Sequence, residues 1–176
     1  MSHPEQLLFF RKMKKRYPRC FKKVSVIEMG SLDINGSIRK IFKNPTRYVG
    51  VDLQEGPGVD LVCAAQDVTF EDNSFDVAVS AECFEHNPYW LETFTNMHRI
   101  ASKAVFFSCA SEGRPEHGTK ENDPDSSPFT IDWNYYKNLT AKDFIDSCDL
   151  KIMFLDHGFR YNNKSFDLYF WGIKSS

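Results

Sequence analysis

The stretch from residue 24 to residue 53 constrains the fold of this chain more than any other feature. It begins with an apolar, β-branched run, turns at Gly30, continues through a helix-compatible segment at residues 37–42, and ends in a second apolar run that delivers Asp52. Asp52 follows the glycine turn at about the 20-residue interval at which a βαβ unit places an acidic residue beside a ribose. The stretch therefore predicts strand, turn, helix and parallel strand, in the order that holds a nucleoside.

Strand and helix signals alternate along the rest of the chain. The predicted elements are strands at residues 59–64, 75–80, 104–109, 151–155 and 166–173, and helices at residues 89–100 and after Thr140, where Asp143 is the capping-box partner. Such alternation predicts a parallel sheet covered by helices on both faces. A long polar stretch at residues 111–134 predicts a loop, and loops of this length in compact domains are usually functional.

The polar residues of the chain follow the predicted strands at the points where those strands end. In a parallel sheet, ligands bind at the carboxyl ends of the strands, near the point where the strand order reverses. The polar strand ends fall at residues 28–36, Asp52, residues 66–67, residues 80–86 and residues 108–119. Their convergence on one edge of the sheet predicts a single binding mouth.

The composition narrows the class of protein. A chain of 176 residues with 41% hydrophobic and 26% charged residues is typical of one globular domain. We expect that domain at residues 24–176, after a basic helical segment at residues 1–23. No apolar run resembles a membrane span or a secretory signal, so we expect a cytoplasmic protein without membrane contacts.

The five widely spaced cysteines include no C-x-x-C pair, so we expect neither a disulfide framework nor a metal.

The positive charge of the chain is concentrated near its beginning. The formal net charge is only −2, yet eight lysines and arginines fall between residues 11 and 23. One interpretation is a patch that binds nucleic acid. The interpretation we favour is an amphipathic helix whose lysines face water. Its apolar side would pack on the domain and consist of Leu7, Leu8, Phe10 and Met13.

The glycine turn discriminates among nucleotide-type ligands. A dinucleotide site requires a second glycine two residues after the first, where this chain has Leu32, and the sequence contains no G-x-x-x-x-G-K-[ST] phosphate loop. S-adenosylmethionine, which has no pyrophosphate, fits better. The Asp52 carboxylate suits its ribose diol, Asp67 suits its adenine amine, and backbone N–H groups of the turn suit its methionine carboxylate.

Four segments together resemble class I S-adenosylmethionine-dependent methyltransferases, in the type 11 methyltransferase-domain group. They are EMGSLDINGSIR, YVGVDLQEGPGVDLVCAAQDV, FDVAVSAECFEHNPYW and GRPEHGT. The resemblance implies a Rossmann-like α/β fold with a seven-stranded, mostly parallel sheet of order 3-2-1-4-5-7-6, an antiparallel seventh strand at residues 166–173, and helices on both faces. The chain departs from the family pattern at Leu32, where another glycine is usual, and at residues 101–103, which replace a Lys-Pro-Gly-Gly turn.

The resemblance also implies how the cofactor is held. The turn at residues 30–35 would lie under the methionine end, Asp52 would bind the ribose, Asp67 and Val68 would frame the adenine, and Ser80 and Ala81 would line the sulfonium. S-adenosylhomocysteine would be the product. The candidate cofactor-binding residues are Glu28, Gly30, Ser31, Leu32, Asn35, Asp52, Leu53, Asp67, Val68, Ser80 and Ala81.

Methyl transfer from a sulfonium is an in-line displacement, so the protein mainly has to align donor and acceptor. A base is needed only where the acceptor must lose a proton. The candidates are His117, His86 and Glu85, and we favour His117 because it lies in the long loop. The structural alternatives are a helix cap or backbone hydrogen bond for His86 and a helix-start carboxylate for Glu85. For Cys83 we expect an ordinary thiol rather than a nucleophile.

Taken together, the sequence predicts a methyltransferase that acts on a small-molecule or saccharide acceptor, with oxygen as the favoured atom. Two alternatives stay open. The first is a nucleic-acid-modifying methyltransferase or binding module that uses the basic segment as its contact. The second is a catalytically silent methyltransferase fold that binds a cofactor or a partner.

Overall fold

The computed structural model describes residues 4–34 and 36–174. Within these ranges seven strands form one sheet of order β3-β2-β1-β4-β5-β7-β6. Strands β1 to β5 pair in parallel, and β7 is antiparallel to both β5 and β6. The order confirms the predicted Rossmann-like methyltransferase fold. The strands are β1 (Ser25–Met29), β2 (Arg47–Asp52), β3 (Leu61–Val62), β4 (Phe75–Ala81), β5 (Ala101–Ala110), β6 (Asp156–Asn162) and β7 (Asp167–Ile173).

Four α-helices and six 3-10 turns accompany the sheet in the described part of the chain. The helices are α1 (Pro4–Arg16), α2 (Trp90–Ile100), α3 (Ala141–Ser147) and α4 (Leu150–Met153). The 3-10 turns are Pro18–Cys20, Ile38–Ile41, Ala65–Asp67, Phe84–His86, Pro124–Ser126 and Pro128–Thr130. None of the helices described is long and apolar enough to cross a membrane.

The segment after the glycine turn is shorter than the sequence predicts. Residues 37–42 form only the 3-10 turn Ile38–Ile41, which starts where the Ser37 side chain accepts a hydrogen bond from the N–H of Arg39. Phe42 then adopts an extended conformation with φ of −77° and ψ of 131°, which ends the turn, and Asn44, with φ of 51°, turns the chain before β2. Helical coverage of this sheet face therefore comes mainly from α1.

Each face of the sheet carries its own apolar cluster. On one face, α2 and α3 pack an aromatic group that includes Phe94, Phe107 and Phe144. On the other face, α1 contributes Phe9, and the ring of Phe9 stacks on Tyr169 at 4.7 Å. The N-terminal helix is thus part of the packed core.

The buried side of α1 agrees with the predicted one only at Phe10 and Met13, and Leu7 is half-buried. Gln6, Phe9, Phe10 and Met13 are buried, whereas Leu8 is 49% exposed. Three apolar residues spaced at i, i+1 and i+4 suffice to seat the helix on the sheet. Leu8, which the sequence placed on the apolar side, faces solvent.

The strand predicted at residues 151–155 is wrong. These residues lie mostly in α4, because the Asp149 carboxylate accepts hydrogen bonds from the N–H groups of Lys151 and Ile152, both at 3.2 Å. A side chain that caps two backbone donors in this way starts a helix. Ile152 is 83% exposed, so its apolar side chain gives no evidence of a buried strand. The sixth strand starts only at Asp156.

The capping box predicted at Thr140 is confirmed. The N–H of Thr140 donates to the Asp143 carboxylate at 2.8 Å, and the N–H of Asp143 donates to the Thr140 hydroxyl at 3.4 Å. This box begins α3 a few residues after the long loop at residues 111–134. It fixes the point at which that loop rejoins the core.

Candidate active site

A narrow cavity lies where β1, β2 and β4 end. It encloses about 50 Å³ and brings together residues from the glycine turn, from the end of β2, from the segment after β4 and from the long loop. Four of the predicted site residues line it: Gly30, Leu32, Asp52 and His86. The predicted convergence of strand ends therefore holds for these three strands.

The glycine turn depends on the absence of a side chain at Gly30. This residue has φ of +72°, and a Cβ there would lie 2.5 Å from the Cβ of Cys83. The N–H groups of Gly30 and Ser31 both donate to the carbonyl of Val51, at 2.9 and 3.1 Å. The turn is thereby attached to the end of β2 and directs the next residue toward Asp52.

Asp52 is held by the backbone on both of its oxygens. Its carboxylate accepts hydrogen bonds from the N–H of Leu32 at 2.9 Å and from the N–H of Leu53 at 2.8 Å. Burial raises the pKa of Asp52, and these two donors oppose that rise. Each carboxylate oxygen has a second acceptor position. The arrangement can therefore accept hydrogen bonds from a diol in a fixed orientation.

Glu28 lies away from the cavity. Its side chain is buried, and its carboxylate accepts a hydrogen bond from the Tyr48 hydroxyl at 2.7 Å. Side chains alternate along a strand, so Glu28 points to the same sheet face as Val26, which packs in the cluster with α1. Burial raises the pKa of Glu28 to about 7. The structure thus places Glu28 under the glycine turn rather than in the mouth.

The predicted adenine partners lie outside the cavity lining. Asp67 is exposed at the end of the 3-10 turn Ala65–Asp67, while Val68 is buried in the core. The Asn96 side chain from α2 donates to the carbonyls of Ala65 and Val68, at 3.0 and 3.1 Å, and holds this loop in place. Asn35, another predicted contact, lies outside the described residues.

Ser80 and Ala81 are buried within the sheet and are not among the residues that line the cavity. Both are buried at the end of β4, and the Ser80 hydroxyl donates to the carbonyl of Met29 at 2.8 Å. That bond links β4 to the end of β1, just before Gly30. Glu82 follows with φ of 53°, a left-handed conformation that turns the chain out of the strand. The pair therefore positions the turn that carries Glu82 and Cys83 into the cavity wall.

The three catalytic candidates come together although they belong to different segments. Glu85 and His86 lie in the 3-10 turn after β4, and His117 comes from the long loop. Donor atoms of the three side chains all lie within 4.8 Å of one another. The two imidazole rings are 4.9 Å apart, and the Tyr136 ring contacts both, at 5.5 and 4.9 Å. The predicted candidates thus form one cluster.

The surroundings of this cluster keep the imidazoles uncharged. Burial lowers the pKa of His86 to about 3 and also lowers the pKa of His117 below its usual value. Burial raises the pKa values of both Glu85 and Glu82, and the charge of Glu85 raises that of Glu82 further. Near pH 7 both imidazoles therefore offer a free nitrogen lone pair.

A buried ionic group lies next to the cluster, and sequence reasoning did not identify it. Arg114 lies 3.1 Å from Asp167 and 3.8 Å from Glu82, and both carboxylates are buried. Asp167 begins β7, which pairs with β5, so only the folded sheet brings it to Arg114. Burial raises the pKa of Cys83 to about 12, which agrees with the expected ordinary thiol.

Part of the long loop closes the cavity. Residues 126–130 line it together with Gly30 and Asp52, and they are its only lining residues from the long loop. A Cβ at Gly56 would lie 2.5 Å from Leu32 and 3.3 Å from the Phe129 ring, so Gly56 leaves room for both side chains to pack there. Sites for organic ligands usually enclose about 300–1,000 Å³. The cavity in this state is too small for a nucleoside, and the loop is the part that closes it.

Part of the chain that includes this cavity's strand ends is similar to a known family of domains. Residues 29–109 match the family described as "Methyltransferase domain". The match begins just before the glycine turn and ends in β5, so it includes Gly30, Asp52 and His86. No curated protein is detectably similar to the chain in sequence.

Solved structures share the complete fold at low sequence identity. The YcgJ protein of Bacillus subtilis superposes with a TM-score of 0.66 at 11% identity, over 99% of this chain and 100% of that one. Phosphoethanolamine N-methyltransferase 2 of Haemonchus contortus gives 0.63 at 15% identity, over 98% and 53%. Magnesium protoporphyrin IX methyltransferase of Synechocystis gives 0.58 at 10% identity, over 97% and 79%. They confirm the fold that the sequence resemblance implies, and the family match agrees with that resemblance over residues 29–109.

Proposed function

We propose that this chain, a class I S-adenosylmethionine-dependent methyltransferase, binds its donor at the mouth of β1, β2 and β4 and transfers the methyl group to an oxygen of a small-molecule or saccharide acceptor. The observation that carries the proposal is the pairing of Asp52 with the glycine turn. Its carboxylate is fixed by two backbone donors beside Gly30, which has room for no side chain. The Asp52 carboxylate suits a ribose diol, and the bare backbone at Gly30 suits a ligand that lies directly against it.

In this proposal, backbone groups of the glycine turn contact the donor more than side chains do. The ribose hydroxyls donate to Asp52, and the methionine end lies along the turn that begins at Gly30. Two proteins with the same fold support this assignment, because the Synechocystis enzyme was solved with S-adenosylmethionine and the Haemonchus enzyme with S-adenosylhomocysteine. Asp67, exposed beyond β3, is the acceptor offered to the adenine amine.

Entry of the donor requires the loop to open. A cavity of about 50 Å³ cannot hold S-adenosylmethionine, and residues 126–130 form the wall that does not belong to the sheet. Closing such a segment over bound donor excludes water from the transfer step. We therefore assign residues 126–130 the role of a lid.

The acceptor side favours an alcohol. His86 lines the cavity, and the His117 ring lies 4.9 Å from the His86 ring. The uncharged imidazoles can accept a proton from a hydroxyl group that is being methylated. His117 is the better base of the two, because it is less buried than His86, whose pKa of about 3 makes it a weak proton acceptor. The cluster thus fits oxygen as the methylated atom.

The basic segment gives little support to a nucleic-acid substrate. Lys14 donates a hydrogen bond to the carbonyl of Ile41, and the Arg16 guanidinium lies 5.1 Å from the Trp171 ring and 3.4 Å from Asp156. These charges are partly used in attaching α1 to the sheet. The helix packs on a sheet face, whereas the cavity lies at the strand ends.

Calorimetric titration of the full chain with S-adenosylhomocysteine tests the donor site. We expect Asp52→Ala to weaken binding by about 10-fold or more, since hydrogen bonds to a charged group contribute about 1.5–3 kcal/mol each. The matched control is Glu55→Ala, which removes an exposed acid just after the same strand. Equal binding by the wild type and Asp52→Ala would remove the basis of the proposal.

Labelled S-adenosylmethionine then distinguishes the acceptor classes. Incorporation into hydroxylated small molecules or saccharides is the expected result. Incorporation only into RNA or DNA, with a steep dependence on salt, would instead favour the nucleic-acid alternative.

A further inference from the structure

Glu85, His86 and His117 form a compact set of metal-type donors. The set contains one carboxylate and two imidazoles, and one donor atom from each lies within 4.8 Å of the others. Two histidines and one carboxylate are the ligands of several catalytic zinc sites and of non-haem iron sites, where they leave further coordination positions open. The composition of the set is therefore that of a metal centre with room for a substrate.

Burial makes the set hard to explain without a further partner. Glu85 is completely buried, and neither of its carboxylate oxygens accepts a well-formed hydrogen bond in residues 4–34 and 36–174, although the Ala110 backbone and the Glu82 carboxyl group lie close to it. His86 is 3% exposed, and its Nδ1 also has no partner there. Buried polar atoms in folded proteins are nearly always paired, because leaving one unpaired costs about 1–3 kcal/mol. Three such atoms on neighbouring residues indicate that a ligand completes the cluster.

The orientation of His117 fits metal binding. Its Nδ1 lies 3.0 Å from the carbonyl of Pro115, which can only accept, so Nδ1 carries the proton. The lone pair is then on Nε2. Metal-bound histidines usually donate their other ring N–H to a backbone carbonyl or a carboxylate in this way. The loop thus already provides the second contact that orients a ligating imidazole.

We propose that Glu85, His86 and His117 bind a divalent transition-metal cation, of the class that includes Zn²⁺, with an open coordination position toward the cavity. His86 belongs both to the cluster and to the cavity wall, so a cation bound by the cluster would border the cavity and could take a further ligand from it. Two ligands of one Zn²⁺ lie at most about 4 Å apart, so the donor atoms must draw together slightly. His117 is only half-buried and lies on a loop, so it can make that movement.

Such an ion would activate the acceptor, a role that rests on the proposed oxygen methylation. With the ion bound, His86 and His117 are ligands and no longer bases, and a hydroxyl group at the open position loses its proton to water instead, because the cation stabilises the alkoxide. An electron pair of that oxygen then forms the new O–CH₃ bond while the S–CH₃ bond breaks and leaves its electron pair on sulfur. The products are a methyl ether, S-adenosylhomocysteine and the released proton.

Titration of the untagged, metal-free full chain with Zn²⁺ tests the site by calorimetry. We expect one equivalent to bind with a Kd of about 1 µM or tighter. His117→Ala and Glu85→Gln should each weaken binding by at least about 10-fold. His157→Ala is the matched control, since His157 lies in β6 and outside the set, and it should leave Zn²⁺ binding unchanged.

Co²⁺ provides a second readout that does not depend on activity. Its visible absorption should change when it binds the wild-type chain and should stay that of the aqueous ion with His117→Ala. His117 is on a half-buried loop position, so this variant remains informative even if Glu85→Gln fails to fold.

Failure of the metal site and failure of the proposed function give different results. A wild-type chain that binds S-adenosylhomocysteine but no Zn²⁺ or Co²⁺ would overturn the metal inference alone. Zn²⁺ binding that survives in both His117→Ala and Glu85→Gln would also overturn it. Zn²⁺ binding without S-adenosylhomocysteine binding would leave the metal site standing and contradict the donor site.

Discussion

The two sides of the cavity are built in different ways. We call the side formed by Gly30, Leu32 and Asp52 the strand wall, and the side formed by residues 126–130 the loop wall. Backbone hydrogen bonds between neighbouring strand ends fix the strand wall, such as those from Gly30 and Leu32. The loop wall lies in a stretch without strands or α-helices. The strand wall thus suits a donor that is the same in every such enzyme, whereas a loop wall can differ in sequence between enzymes that methylate different acceptors.

The comparison predicts the largest effect at the strand wall. Gly30→Ala should destabilise the chain by about 2–4 kcal/mol, because its left-handed φ and the 2.5 Å approach to Cys83 leave no room for a methyl group. Ser126→Ala in the loop wall should change stability by less than about 0.5 kcal/mol. Urea denaturation measures both. Similar losses for the two variants would contradict the difference between the walls.

Glu28, which lies on β1 just before the strand wall, makes the stability of the chain depend on pH. Its folded-state pKa of about 7 exceeds the ordinary value of 4.5, so the folded chain binds more protons between these pH values. Stability attributable to Glu28 therefore falls as pH rises from about 4.5 to about 7. Glu28→Gln, which still offers Tyr48 an acceptor, should stabilise the chain by about 1–3 kcal/mol at pH 8 and change little at pH 4.

Denaturant unfolding at the two pH values measures the Glu28 effect. A stability difference between wild type and Glu28→Gln that stays the same at pH 4 and pH 8 would show that burial does not raise this pKa. Glu116→Gln serves as the control, since Glu116 is exposed and its pKa is lowered by hydrogen bonds from Asn122 and Thr119.

The smallest predicted effect concerns the loop wall. Phe129→Ala should tighten S-adenosylhomocysteine binding by about 3- to 10-fold, because it removes packing of Phe129 near Leu32 that the lid must break before the donor enters. Calorimetry measures the change, and Ile131→Ala, just beyond the cavity lining, is the control. Weaker binding by Phe129→Ala would instead mean that the ring contacts the bound donor.

Local patterns predicted the strand wall well. Gly30 and Asp52 lie at the ends of successive strands, and their meeting at one edge of the sheet follows from turn geometry and spacing alone. The Thr140 capping box was equally readable, since its two residues are three apart. The strand predicted at residues 151–155 failed because apolar residues suggested a strand, whereas the Asp149 cap started a helix.

For the cluster of Glu85, His86 and His117, the sequence predicted the single residues but not their contact. Sequence patterns singled out Glu85, His86 and His117, but their contact depends on the path of the long loop. The ion pair of Arg114 with Asp167 joins that loop to β7, and no short-range pattern connects the two. Long-range packing, rather than local preference, determines this part of the site.

The central claim is that the strand wall holds the donor under a lid, and a crystal structure of the chain with S-adenosylhomocysteine tests it most directly. The account predicts that the ribose hydroxyls lie within hydrogen-bonding distance of the Asp52 carboxylate and that residues 126–130 lie farther from Gly30 than they do here, so that they cover the donor instead of filling its place. A ligand bound elsewhere, or one bound at Asp52 with residues 126–130 in place, would contradict it.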